Sequence, residues 1–243
     1  MKKFLPLIFL LVGIVVLGGA FAFTKLKGGS NEEAPVDDES YLIEVPLGER
    51  PVVSLTPRTD GHWLDLSVGK ILIDAETLEY ELLYSLPDGR IQGVPGRQKI
   101  EGKSSLSIEL LLGSESSGKF RYDEGVEKGS LSLKFRNSEG KLVAKFKTEF
   151  RMQSDEVELK SADNDFIYTL DEEPSGFFVT MGTIGYPEGL DFVPSKEVYG
   201  VFASDKVNAN GSLNLSNSYV WDGTSWTELT ERNSETLGIF ASK

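Results

Sequence analysis

An uninterrupted apolar run near the start of the chain constrains this sequence more than any other feature. The run begins at Phe4, ends at Phe23, contains no charged residue and has two lysines close to each end. A helix of these 20 residues is about 30 Å long, which is the thickness of the hydrocarbon core of a bilayer. Residues 1–26 therefore predict a single-pass membrane anchor, and we expect the long remainder to be extracytoplasmic.

A cleavable signal peptide is the alternative interpretation of the same residues. Lys2 and Lys3 would form its charged region, and Ala20 and Ala22 match the small-residue cleavage pattern. Cleavage near Ala22 would release a secreted protein. The next residues, 27–40, are rich in Gly, Ser and acids and show no apolar periodicity, which predicts a flexible acidic linker. A tether of this kind favours the anchored form.

The charge of the chain excludes some partners. The net charge is −13, and residues 151–243 carry 16 acidic against 6 basic residues. Such a surface repels nucleic acid, so we expect no nucleic-acid partner. Cysteine is absent, which excludes disulfides and leaves stability to an ordinary apolar core. No cofactor is expected, with one alternative: Asp163 and Asp165 form a dense acid group that could bind Ca²⁺, although solvated loop acids have the same pattern.

Beyond the linker, the hydrophobic pattern has the period of β-strands. In the clearest case, Leu131, Leu133 and Phe135 alternate with polar residues, a polar turn follows at 137–140, and residues 142–150 alternate again. Further strands are predicted, among others, at 70–74, 77–86, 106–112 and 177–186, and residues 87–105 predict a loop or an edge because of Pro95. The alternation of apolar and polar residues fades near Lys160, which predicts a division of the chain into a β-sandwich at 41–160 and an acidic β module at 161–243.

The predicted fold class is mainly β: a transmembrane helix followed by an antiparallel sandwich, with the second β module packed on it or continuing it. The order of strand, Gly-Ser turn, strand and hairpin over 109–150 resembles immunoglobulin-like and fibronectin-like domains of bacterial surface proteins. The Cys-Trp-Cys core of antibody domains is missing, so no binding loop carries over. The whole layout resembles membrane-anchored β-domain proteins of bacteria.

A tryptophan hairpin is the strongest candidate for ligand binding. Residues 221–226 read WDGTSW, which is similar to the W-x-G-x-x-W hairpins of carbohydrate-binding and adhesion modules. That resemblance implies that Trp221 and Trp226 stack on a sugar. The alternative is that the two side chains pack on each other or on the sheet.

Signatures of catalysis are mostly missing from the sequence. His62 is the only histidine, so every histidine-based triad or metal site would have to use it. We therefore expect a non-enzymatic binding or adhesion module, anchored in the membrane, with an envelope protein or a glycan as partner. Two alternatives stay open: an extracytoplasmic glycoside hydrolase using two carboxylates, and a structural subunit of an envelope assembly.

Overall fold

The computed structural model describes residues 39–243, and these form one compact unit of β-strands with two short 3₁₀ helices, Glu39–Tyr41 and Leu47–Glu49. The predicted anchor from Phe4 to Phe23 and the linker before Glu39 lie outside the described residues. Within 39–243, no helix has both the length and the apolar character needed to cross a bilayer. The strands are β1 (Val52–Pro57), β2 (Trp63–Gly69), β3 (Thr77–Ser85), β4 (Ile91–Lys99), β5 (Leu106–Leu111), β6 (Gly113–Ser116), β7 (Lys119–Tyr122), β8 (Lys128–Arg136), β9 (Leu142–Ser154), β10 (Glu158–Lys160), β11 (Ile167–Leu170), β12 (Phe177–Gly182), β13 (Tyr199–Ala203), β14 (Gly211–Leu213), β15 (Ser218–Trp221), β16 (Trp226–Glu228), β17 (Asn233–Ser234) and β18 (Ile239–Ser242).

The strands form four sheets in a sandwich-like arrangement. The largest has nine strands in the order β16-β15-β18-β13-β12-β9-β8-β3-β4. A three-stranded sheet (β1-β2-β5), a four-stranded sheet (β10-β11-β14-β17) and the β6-β7 hairpin complete the fold. Neighbouring strands run antiparallel, for example β8 with β9 and β9 with β12. The prediction of a mainly β, antiparallel fold is confirmed.

The β8–β9 hairpin forms as the alternation predicts. Leu131, Leu133 and Phe135 are fully buried, and the register pairs Leu133 with Phe146. The turn is held locally, because Asn137 Oδ1 accepts hydrogen bonds from the backbone N–H groups of Glu139 (3.1 Å) and Lys141 (3.0 Å). A one-residue slip would expose the buried set to water, so side-chain burial and turn chemistry specify the same register.

Strand β4 is an edge of the nine-stranded sheet, as Pro95 predicts. Among the strands of residues 39–243 it pairs with β3 alone, and Pro95 lies opposite Glu81 in that pairing. Proline has no N–H, so it interrupts the row of donors that an edge presents to other chains. Arg97 and Lys99 add positive charge to the same strand.

Two apolar clusters lie on opposite faces of the nine-stranded sheet, and β12 separates them. The first cluster joins the three-stranded sheet to β3, β8, β9 and β12, and includes Leu66, Phe150 and Val179. The second joins the four-stranded sheet to β12, β13, β15 and β18, and includes Phe178 and Phe240. Successive residues of a strand point to opposite faces, so Phe178 and Val179 enter different clusters. This explains why β12 is buried on both faces and shows no alternation of apolar and polar residues.

Two predicted strands differ in the structure. No strand forms at 70–74, so that prediction is wrong: β2 ends at Gly69 and Lys70 has a positive φ of 50°, which turns the chain. The apolar run at 177–186 is a strand only as far as Gly182, because Ile184 also has a positive φ, 67°. A left-handed residue therefore stands at the start of the first predicted strand and near the end of the second.

The residues on either side of the predicted division near Lys160 share one sheet. β9, from the first part, pairs with β12, from the second, over Phe150 to Ser154. The apolar clusters nevertheless follow the two parts closely: the first cluster draws on 53–152 plus Val179 and Met181, and the second draws on 159–240.

Candidate binding surface

Four ring-bearing side chains form a connected patch at the surface, which we call the aromatic patch: His62, Trp63, Phe120 and Tyr122. Tyr122 stacks on His62 with ring centroids 4.2 Å apart and planes 9° apart. Phe120 lies parallel to Tyr122 at 6.1 Å, and Trp63 meets Phe120 edge-on at 5.7 Å. Phe120 is 46% exposed and Tyr122 38% exposed. Such exposure is unusual for large aromatic residues that touch one another and marks a candidate binding surface.

The β6–β7 hairpin positions two of these rings. In the sequence KFRY, Phe120 and Tyr122 are two residues apart, so both project from one face of β7. Gly113 lies opposite Tyr122 and has φ of 149°. A Cβ at Gly113 would lie 2.2 Å from the carbonyl oxygen of Arg121, so no other residue allows the two strands to meet here.

Arg58 contacts one ring of the aromatic patch, that of Trp63. Its guanidinium lies 5.3 Å from the centre of the Trp63 ring. It also donates hydrogen bonds to Asp65, at 2.7 Å, and to Glu109. These bonds, with that to Asp65 the stronger influence, raise the pKa of Arg58 above its usual value. The pairing holds the Arg58 guanidinium beside the Trp63 ring.

A cavity of about 210 Å³ adjoins the aromatic patch at His62. We call it the acidic pocket, because five carboxylates line it: Asp60, Asp123, Glu124, Glu127 and Glu156. Within residues 39–243, no lysine or arginine contributes to its lining. His62 belongs to both features, since its ring stacks on Tyr122 and its Nε2 lies 3.9 Å from Glu124 Oε1. Aromatic rings and carboxylates are therefore continuous on this part of the surface.

Trp221 and Trp226 lie elsewhere, on the β15–β16 hairpin. The hairpin forms as predicted, with the two residues directly opposite each other and Asp222 accepting turn hydrogen bonds from the N–H groups of Thr224 and Ser225. The rings are 5.8 Å apart, both are half-buried, and both pack against a third apolar cluster around Tyr186. This is the packing that the alternative interpretation describes, and the sugar-binding role stays a prediction.

The carboxylate of Asp163 is hydrogen-bonded within the protein, and Ca²⁺ binding by Asp163 and Asp165 stays a prediction. Asp163 Oδ1 accepts a hydrogen bond from the backbone N–H of Asp165, and its other oxygen accepts one from Tyr199 Oη at 2.9 Å. Burial alone would raise the pKa of Asp163, but hydrogen bonds from Ser161, Asp165 and Tyr199 outweigh it and lower that pKa. In the part of the chain that the structure describes, no group of three or more His, Asp or Glu is arranged to hold a metal ion.

Asp163 and Glu197 both line a cavity of about 300 Å³ between the nine-stranded sheet and the turn that joins β10 to β11. Burial of the Glu197 carboxyl, assisted by repulsion from Asp163 and Asp165, raises the pKa of Glu197. Burial and the hydrogen bond to Asp163 also raise the pKa of Tyr199. The pKa values of these two acids are therefore shifted in opposite directions.

Comparisons with protein-family models, with curated protein sequences and with solved structures found no match to this chain. The site therefore has to be argued from its own geometry. The sequence did not predict the aromatic patch, although the alternating rings of KFRY beside a Ser-Gly turn are a local signal for it. No local signal places His62 against Tyr122, because 60 residues separate them in the chain.

Proposed function

We propose that this chain is a non-enzymatic binding module with immunoglobulin-like sandwich architecture, held outside the cytoplasm by a membrane anchor. The observation that carries the proposal is the aromatic patch. Aromatic side chains are enriched at protein interfaces because they bury a large area at little cost in conformational entropy. The apolar run from Phe4 to Phe23 supports the membrane location, and the acidic linker supports display of the folded part away from the bilayer.

The partner in this proposal is an envelope protein, with a glycan as the alternative. Phe120 and Tyr122 support this assignment, because both stay exposed while most large apolar side chains of residues 39–243 are buried in the apolar clusters. Trp221 and Trp226 give less support to a glycan, since their rings are half-buried against each other and against the third cluster.

The proposal is tested with the full-length chain in detergent, probed against arrays of peptides and of glycans. The test variant replaces both Phe120 and Tyr122 with Ser, and the control replaces Ile91, which is 70% exposed on the edge strand β4, with Ser. We expect a bound ligand that the test variant loses and the control retains. Binding that survives the loss of both rings, or no binding to any array member, would refute the proposal.

A carboxylate-dependent glycoside hydrolase is the second candidate, and the observation that favours it is the cavity holding Asp163 and Glu197. Two acids whose environments shift their pKa values in opposite directions are the usual arrangement for an acid and a base. Release of reducing sugar from an oligosaccharide panel, lost in both Asp163→Asn and Glu197→Gln, would establish this activity. Equal turnover by both variants and the unmodified chain would exclude it.

The third candidate, a structural subunit of an envelope assembly, receives less support. Assembly through strand pairing needs an open edge, and at one edge of the nine-stranded sheet β4 is interrupted by Pro95 and carries Arg97 and Lys99, the residue types that proteins use to block edges.

A further inference from the structure

Among residues 39–243, no lysine or arginine lines the acidic pocket, so its carboxylates have no cationic partner within the lining. Asp123 accepts a hydrogen bond from Tyr84 Oη at 2.8 Å, and Glu156 accepts one from Gln153 Nε2 at 2.6 Å. Both donors are neutral, so they orient the carboxylates without neutralising them. Arg90, which is not part of the lining, interacts electrostatically with Asp123, so the charge left for a partner is that of the other four carboxylates. Asp60, Glu124, Glu127 and Glu156 are exposed, which makes their oxygens accessible to a partner.

The basic residues around the aromatic patch do not neutralise the negative charge of the acidic pocket. Arg58 is already bound to Asp65 and Glu109. Lys119 and Arg121 alternate with Phe120 and Tyr122 along β7, so they project from the other face of the hairpin. Glu115 pairs with Phe120 across the hairpin and adds a further carboxylate beside the rings. A ligand on the ring-bearing face therefore meets apolar surface and negative charge together.

We propose that the aromatic patch and the acidic pocket together bind a segment rich in Lys or Arg on a partner protein. These two side chains combine an apolar stem with a cationic head. The stem would lie on Phe120 and Tyr122, where ring faces also attract a cation, and the head would enter the acidic pocket beside His62. A neutral sugar would use the rings, and its hydroxyls would donate hydrogen bonds to the carboxylates, but it carries no positive charge to balance theirs. This inference rests on the proposed binding function and names the chemistry of the partner.

The test measures binding of synthetic octalysine and octaarginine to the full-length chain at about 0.15 M salt, where the Debye length is about 8 Å. Octaglutamate and a neutral N-acetylglucosamine hexamer serve as comparison probes. The pocket variant is Glu124→Gln with Glu156→Gln, and the ring variant is Phe120→Ser with Tyr122→Ser. Thermal unfolding of each variant checks that the fold is retained.

A matched control is required because the chain carries a net charge of −13 and attracts any polycation weakly. Glu228→Gln with Glu231→Gln removes the same charge from exposed positions on and after the edge strand β16. β16 lies four strand spacings from β12 in the sheet, about 19 Å, which exceeds the Debye length. A loss caused by net charge alone would be equal in the pocket variant and in this control.

We expect the pocket variant to weaken binding of both cationic probes about fivefold and the ring variant about tenfold, while the control stays within twofold. Equal losses in the pocket variant and the control would overturn the inference. Preference for the neutral hexamer, with binding lost in the ring variant, would overturn the inference but leave the proposed binding function intact. Absence of ring-dependent binding to any probe or array would overturn both.

Discussion

Replacing Phe240 by Ala should destabilise the chain more than any loss of an exposed ring. Phe240 lies on β18, is fully buried, and contacts Phe166 at 5.5 Å and Tyr168 at 5.4 Å between ring centroids. It therefore joins the nine-stranded sheet to β11 of the four-stranded sheet. Truncation of a buried Phe to Ala costs about 3–5 kcal/mol, of which the two ring contacts account for about 1–3 kcal/mol.

This cost is a large fraction of the 5–15 kcal/mol that is typical of total stability. For a chain of this size it should lower the melting temperature by about 6–20 °C. The matched control is Phe120→Ala, which makes the same chemical change at a side chain that is 46% exposed and should cost less than about 1 kcal/mol.

Urea unfolding followed by tryptophan fluorescence measures both variants, because Trp63 reports on the first part of the fold and Trp221 and Trp226 on the second. We expect a lower midpoint for Phe240→Ala with an unchanged dependence of the unfolding free energy on urea. A loss below about 1 kcal/mol, or an equal loss in Phe120→Ala, would show that the second cluster does not hold the two sheets together in the way described.

The remaining predictions concern the carboxylates, the patch hairpin and a buried hydroxyl. Asp163 has a lowered pKa in the folded state, so it stabilises the protein above about pH 4 and this stabilisation is lost as the pH falls. Unfolding curves should therefore show that Asp163→Asn lowers the free energy of unfolding at pH 7 and leaves it unchanged in acid. Glu197 has a raised pKa, so its contribution to stability is present at low pH and lost as the pH rises. Glu197→Gln should therefore raise the free energy of unfolding at pH 7, and a lower value would contradict burial of the ionised carboxyl as the cause of the shift. Gly113→Ala should cost about 1–3 kcal/mol and speed hydrogen exchange in β7, whereas Gly118→Ala, with open space around its Cβ, should cost less; equal costs would contradict the close approach of the strands. Tyr168→Phe removes a hydroxyl that donates to the carbonyl of Ala209 at 2.5 Å and should lower stability by about 1–3 kcal/mol in urea unfolding, so an unchanged midpoint would contradict that bond.

Local chemistry explains the parts of the fold that could be predicted. The β8–β9 hairpin needs only the alternation around Leu133 and the turn at Asn137, both of which lie within a few residues of each other. The Asp222 turn and the Pro95 edge are equally local. The wrong strand at 70–74 shows the limit, because its composition favours a strand while Lys70 turns away and donates from Nζ to the carbonyl of Gly48 at 2.9 Å.

The candidate site depends on contacts between distant parts of the chain. His62 meets Tyr122 only after β2 and the β6–β7 hairpin have taken their places, and the acidic pocket adds residues from the end of β9 and the start of β12. The raised pKa of Glu197 arises in the same way, since burial and two acids distant in the chain, Asp163 and Asp165, cause it. The lowered pKa of Asp163 is more local, because Ser161 and the backbone of Asp165 supply two of the hydrogen bonds that lower it. Spacing along the chain carries no information about such encounters.

The sequence by itself determined the strand-forming character of residues 39–243, the register of the β8–β9 hairpin, the acidity of the last third and the absence of disulfides. Each of these follows from composition or from interactions between near neighbours in the chain. Only the tertiary structure decided that Phe178 and Val179 enter different apolar clusters, that Trp221 and Trp226 are half-buried, and that Phe120 and Tyr122 stay exposed. The physical reason is that the burial of a side chain depends on which sheet covers its face, and the packing of distant strands sets that cover.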